Sequence, residues 1–230
     1  MIDVHKDNDR GRADHGWLVA KYSFSFADYY DPLRMGFRSL RVLNEDHIAP
    51  GAGFPKHGHN DMEILTYVIS GGLKHKDSMG NGAVIEAGEF QLMSAGAGVQ
   101  HSEANASATE ETHLLQIWLR PDQASLQPGY VQKRFEDRQN RLRKVVSSAG
   151  QDGAMKIHQD VEIYSGVLDA GTQVEHALAK GRHAWIQTIS GELEINGESL
   201  SQGDSAAVSE EEMLRLRAKE ASEFLLFDLA

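Results

Sequence analysis

The chain of 230 residues carries 34 Asp and Glu against 23 Lys and Arg, a formal net charge of −11 with neutral histidines, and 40% of it is hydrophobic. That is enough apolar material for one large core or two small ones, while the acidic balance repels phosphate backbones and argues against direct nucleic-acid binding. Cysteine is absent, which excludes disulfides, thiolate metal sites and a cysteine nucleophile, so any metal must be held by nitrogen and oxygen.

The opening Met1-Ile-Asp-Val-His-Lys-Asp-Asn-Asp-Arg10 is polar and lacks the basic and apolar regions of a secretion signal. No later run reaches the length of a membrane span, so a cytoplasmic protein with no membrane contact is expected. Glycines then recur with Ser, Asn and Asp between short apolar runs, the pattern of a many-stranded all-β protein. Strands are predicted over residues 40–44, 62–69, 72–76, 83–85, 89–93 and 113–119. Pro121 closes this set, and residues 122–129 read as a linker, so the expected domains are 1–125 and 126–230. Beyond it, one short helical turn is predicted over 136–142 and a loop over 147–153. The basic run Arg134, Arg138, Arg141, Arg143 and Lys144 is interrupted by Glu136 and Asp137 and reads as a solvated face.

A weak internal repeat links the two halves. Val68-Ile-Ser-Gly-Gly-Leu73 recurs as Thr188-Ile-Ser-Gly-Glu-Leu193, and Ala87-Gly-Glu89 as Gln202-Gly-Asp204. Four side chains of metal-binding character occur as two pairs in the first copy, His57 with His59 and His101 with Glu103. Side chains two apart on a strand share a face, so each pair aims into one space. Two such strands facing across a barrel enclose three imidazoles and a carboxylate, a donor set for one divalent ion of iron, manganese, nickel, copper or zinc. Counting back from Gly191 as from Gly71 puts Ala177 and Ala179 in the places of His57 and His59, and counting forward from Gly203 puts Leu216 and Arg217 near the second pair. The second copy is therefore expected to lack a metal site.

The remaining histidines, His5, His15, His47, His75, His113, His158, His176 and His183, read as surface or hydrogen-bonded core residues. Gln116 lies in a strand apolar on both faces, where its amide must find a partner, either a ligand imidazole that it orients or the backbone. Asn44 invites the same argument. Phe37, Phe54, Met79 and Met93 are either core or the walls of an apolar pocket.

The stretch from Gly51 through His57-Gly-His59 to Glu63 resembles the first cupin motif, and Gly88 through His101-Ser-Glu103 the second, with Ser94 where proline is usual. The resemblance extends to the pirin family through His15-Gly-Trp17, Phe24-Ser-Phe-Ala27, Tyr30-Asp-Pro32, His57-Gly-His-Asn-Asp-Met-Glu-Ile-Leu-Thr-Tyr67 and His75-Lys-Asp-Ser-Met-Gly-Asn81. It implies a bicupin of two jelly-roll-like β-barrels in tandem with metal only in the first, held by His57, His59, His101 and Glu103, and Glu63 outside the ligand set. Bacterial pirins of this pattern are known as quercetin 2,3-dioxygenases, and animal members as iron-dependent transcriptional cofactors. The implied activity is opening of the central ring of a flavonol such as quercetin with O2, with one divalent ion, Fe(II) first, and with Glu103 as ligand and as general base for the 3-hydroxyl. The alternatives are an iron-dependent, redox-responsive protein that binds a regulatory protein partner without turnover, and a zinc cupin that isomerises or stores.

Overall fold

The computed structural model describes residues 1–230 and is built almost wholly of antiparallel strands, with two single-turn 3-10 helices at Asp7–Asp9 and Gln151–Gly153. The predicted strands are present, most of them slightly longer and that at 62–69 shifted by one residue, as Leu40–Ile48, Glu63–Ser70, Gly72–Asp77, Gly82–Glu86, Glu89–Ser94 and Thr112–Leu119. Residues 136–142 form turns instead of a helical turn. There the backbone is used otherwise: Asn140 adopts φ 54°, and its N–H donates to Val167 O at 2.7 Å.

The chain folds into two compact units. The N-terminal unit contains Gly11–Arg134 with Ile157–Gln159, and the C-terminal unit contains Met1–Arg10, Phe135–Lys156 and Asp160–Ala230. In the N-terminal unit one sheet has seven strands in the order Gly129–Arg134, Glu89–Ser94, Glu63–Ser70, Thr112–Leu119, Leu40–Ile48, Leu18–Tyr22 and Gly11–Asp14. A second sheet has four, Gly53–His59, Val99–Asn105, Gly72–Asp77 and Gly82–Glu86. Leu18, Ile48, Val68 and Leu114 of the first sheet bury against Leu73 and Ile85 of the second. The C-terminal unit repeats the plan with seven strands and four, and Ile186, Val208 and Leu226 meet Leu193, Leu214 and Leu216 in its core. Each cupin is thus a pair of sheets joined by packed side chains, not a barrel closed by a continuous hydrogen-bond ladder.

The internal repeat is exact at its corners. Gly71 and Gly191 follow equivalent strands at φ 76° and 77°, and a Cβ on either would press on a backbone carbonyl, of Glu111 or of Ala221. Gly88 and Gly203, both at φ 83°, donate to Val68 O at 2.8 Å and Thr188 O at 3.0 Å. The counting to Ala177 and Ala179 needs correction, because both are exposed while His176 and Leu178 are buried. One extra residue between this strand and Gly191 reverses the parity, as any odd change does on a strand. The inward places of the second copy are therefore held by His176 and Leu178, and by Leu214 and Leu216 on the paired strand.

Gly191→Ala is expected to lower unfolding stability by roughly 2 kcal/mol or more, from a left-handed backbone and a steric clash together. Gly197→Ala, at φ 97° with open space around it, should cost about 1 kcal/mol. Urea midpoints at unchanged m-value report the difference.

Candidate metal centre

Strands Gly53–His59 and Val99–Asn105 are hydrogen-bonded neighbours in the four-stranded sheet, not strands facing across a barrel. His101 stands opposite His57 and Val99 opposite His59, and the register shifts between His101 and Glu103, which lies opposite Phe54. Gly53 permits this approach, since a Cβ there would collide with the backbone at Glu103 and Ala104. The pairing clusters the imidazoles at steep mutual angles of 54–81°: ring centroids are 4.8 Å apart for His57 and His59, 4.4 Å for His57 and His101, and 4.9 Å for His59 and His101. The donor atoms of these three lie within 4.8 Å of one another, and so do those of His75, His101 and Glu103.

Surrounding groups fix which atoms remain available. His57 Nδ1 donates to Pro55 O at 2.8 Å, which leaves Nε2 as its ligand atom. Gln116 Nε2 donates to Glu103 Oε2 at 3.2 Å, and Thr66 Oγ1 donates to Gln116 Oε1 at 3.2 Å. Gln116 thus meets neither a ligand imidazole nor the backbone, as the sequence suggested, but the carboxylate of Glu103 and the hydroxyl of Thr66. Three buried atoms are left over: both ring nitrogens of His101 and Oε1 of Glu103 have no hydrogen-bond partner. A buried polar atom without a partner costs about 1 to 3 kcal/mol. A divalent cation held by the clustered nitrogens of His57, His59 and His101, with Glu103 on the same cavity, would engage one His101 nitrogen and answer part of that demand, so the residues fit a bound metal ion.

Residues 4–119 match the Pirin family model, and residues 144–229 match the model for the quercetinase C-terminal cupin domain. The chain belongs to the pirin family. A protein of Escherichia coli K12 named quercetin 2,3-dioxygenase is 48% identical over 229 residues, covering 100% of this chain and 99% of its own. A Pirin-like protein of Caulobacter vibrioides is 40% identical over 233 residues, with 100% of both chains covered. The crystal structure of YhhW from Escherichia coli superposes with a TM-score of 0.98 at 48% identity, covering 100% of this chain and 98% of that one. A second structure, of bacterial pirin YhhW in complex with nickel(II), gives 0.96.

Electrostatics in this pirin favour free electron pairs. Burial, then the charge of His57, lowers His59 to about 4. Burial, then the charges of His57, His59 and His75 against Asp77, lowers His101 to about 3. Both rings are neutral donors near neutral pH. Burial raises Glu103 to about 7, opposed by the hydrogen bond from Gln116. Glu63 is engaged elsewhere, accepting from Ser94 Oγ at 2.8 Å and meeting His158 Nδ1 at 3.2 Å.

A cavity of about 350 Å³ opens over these groups. Among the expected walls only Phe54 lines it, whereas Met93 packs with Ile64, Ala95 and Val99, and Met79 is exposed. Tyr22, Phe26 and Trp118 line it too, unforeseen, and Trp118 meets His59 edge-on at 4.9 Å and 82°. Asn44, Asp46 and Gln116 supply its polar edge. His75, read as an ordinary histidine, is buried 5.4 Å from the His101 ring, with Nε2 at 3.2 Å from Asp77 Oδ2. The alternating His75-Lys-Asp77 was the available signal for it.

In metal-free protein, Glu103→Gln should be stabilising at pH 8 and neutral at pH 4. A carboxyl whose folded pKa is raised contributes fully below the unfolded value of 4.5 and loses stability as pH rises towards about 7, and an amide escapes that loss. At about 1.4 kcal/mol per unit of displacement the gain is a few kcal/mol at most. Melting temperatures of chelator-treated protein across pH 4–8 measure it, and an equal effect at both ends would contradict the burial argument.

Proposed function

We propose that His57, His59, His101 and Glu103 hold one divalent ion, Fe(II) in the native protein, and that the protein is a dioxygenase opening the central ring of flavonols such as quercetin. The observation that carries the reading is the set of unpartnered buried donors, both nitrogens of His101 and Oε1 of Glu103. The named activity of the Escherichia coli relative supports the reaction class, and the nickel(II) complex of YhhW supports the metal. Three imidazoles and a carboxylate also accept nickel, manganese, copper and zinc, so availability decides occupancy.

When bound, the ion supplies Lewis acidity and one or two positions beyond its four side chains. The chain supplies the rest. Phe54, Tyr22, Phe26 and Trp118 give a planar polyphenol an aromatic enclosure and keep bulk water off the reacting ring. Asn44, whose Oδ1 is buried without a partner, offers an acceptor to a ring hydroxyl. Glu103, the one carboxylate of the set, takes the proton of the 3-hydroxyl as general base. Gln116 holds Oε2, so that Oε1 keeps one direction while the proton moves.

His57→Ala or His101→Ala is expected to abolish metal retention while far-UV circular dichroism stays that of a β protein. Elemental analysis after anaerobic purification reads the loss, and full occupancy in the double variant would place the ion elsewhere. Glu103→Gln should retain some metal and lose about two to four powers of ten in oxygen uptake with quercetin, while Glu63→Gln does far less. Metal binding without oxygen consumption on any flavonol would favour a non-catalytic, redox-responsive binding protein.

A further inference from the structure

The inward face of strand Leu40–Ile48 carries a buried carboxylate that the proposed chemistry does not use. Strand alternation puts Val42, Asn44, Asp46 and Ile48 on one face, and Asn44 and Asp46 line the cavity over the candidate metal centre. Asp46 stands between Ala20 and Leu114 on the two neighbouring strands, both buried and apolar, and is itself only 4% exposed. A leucine or valine would serve packing better there, because a buried carboxylate gives up hydration that apolar neighbours do not return. Leu18 and Tyr22 on either side of Ala20 reach the cavity and Ala20 does not, which leaves a gap in the wall at Asp46.

Position gives this carboxylate a role. Asn44 stands opposite Gln116, whose amide holds Glu103, and Asp46 lies one pleat further on, about 7 Å along the strand from Asn44. A ligand whose reacting group sits at Glu103 can reach Asp46 with its other end. The walls between are aromatic, Tyr22, Phe26, Phe54 and Trp118, and no lysine or arginine lines the cavity. Such a lining offers an anion no counter-charge and suits the O–H donors of an uncharged ligand. We propose that Asp46 is the specificity-determining residue of this cavity, accepting a phenolic hydroxyl on the ring that lies away from the metal centre, with Asn44 beside it. The inference rests on the flavonol reading of this site and narrows it to polyphenols with free ring hydroxyls. An ionised carboxylate has about four acceptor directions, so contacts already made to it leave room for a ligand hydroxyl. A site that hydrogen-bonds a hydroxyl rejects analogues lacking it, because its buried polar group then loses water without gaining a partner.

Luteolin carries the ring hydroxyls of quercetin without the 3-hydroxyl, and unsubstituted flavone carries none, so binding of the two separates recognition from turnover. Quenching of tryptophan fluorescence and calorimetry read it. Luteolin should bind wild type about ten- to a hundredfold more tightly than flavone. Asp46→Leu should lower that ratio about tenfold or more, with flavone bound at least as well as before, whereas a merely structural role would weaken both ligands alike. Asp46→Asn, which keeps the shape with a weaker acceptor, should lower the ratio several-fold and carries the test if the leucine variant does not fold. An unchanged ratio in the variant that folds, or parallel loss of both ligands, would overturn the role of Asp46. Oxygen uptake with quercetin is read on the same wild-type protein: its absence beside the expected ratio would sink the dioxygenase reading and leave hydroxyl recognition standing.

Discussion

Burial of unpaired imidazole nitrogens is the constraint around which the N-terminal cupin is arranged. Two hydrogen-bonded strands in direct register bring His57 and His101 side by side, and His101 is buried there. Folding without an ion leaves His101 with two idle nitrogens and Glu103 with one idle oxygen, a local cost that the surrounding apolar core must offset. The depressed affinities of His59 and His101 for protons belong to the same cost. A site poor at binding protons is open to a cation at neutral pH, where protons would otherwise compete for the same lone pairs.

Strand parity made the candidate metal site legible. Spacing of two on an extended chain can point only one way, and both pairs sit on strands as expected. What parity does not carry is partnership between strands. His57–His59 and His101–Glu103 lie on adjacent strands because Gly53 lets the backbones close up and a register shift re-aims Glu103. A register shift of this kind leaves no local composition signal. The cavity walls were poorly legible for a related reason: Tyr22, Phe26 and Trp118 come from separate strands and a loop, and only the sheet pairing gathers them. Ser94, standing where proline is usual in the second motif, acquires a reason in the structure, since its hydroxyl satisfies Glu63.

The repeat shows how one residue separates the copies. Corners at Gly71 and Gly191 match to within a degree in φ, yet the strand before Gly191 is out of step by one, which exposes Ala177 and buries His176. His176 is then the inward histidine of the second cupin, and it is spoken for. Its Nε2 meets Asp228 Oδ2 at 2.8 Å, and Asp228 also accepts from Arg182. Burial alone would raise Asp228, but those two partners hold it below the ordinary carboxylate range.

Partnership, more than burial, therefore separates a ligand histidine from a structural one in this chain. His75, His158 and His176 are wholly or partly buried, and each meets a carboxylate, of Asp77, Glu63 or Asp228. Each of these rings already has one nitrogen engaged, so an ion would have to displace a standing partner. His101 is as deeply buried and meets none. The same fold thus carries two solutions to an inward imidazole, one closed by an acid from the other sheet and an arginine from a turn, and one left open on a cavity, and only the open one keeps lone pairs free for chemistry.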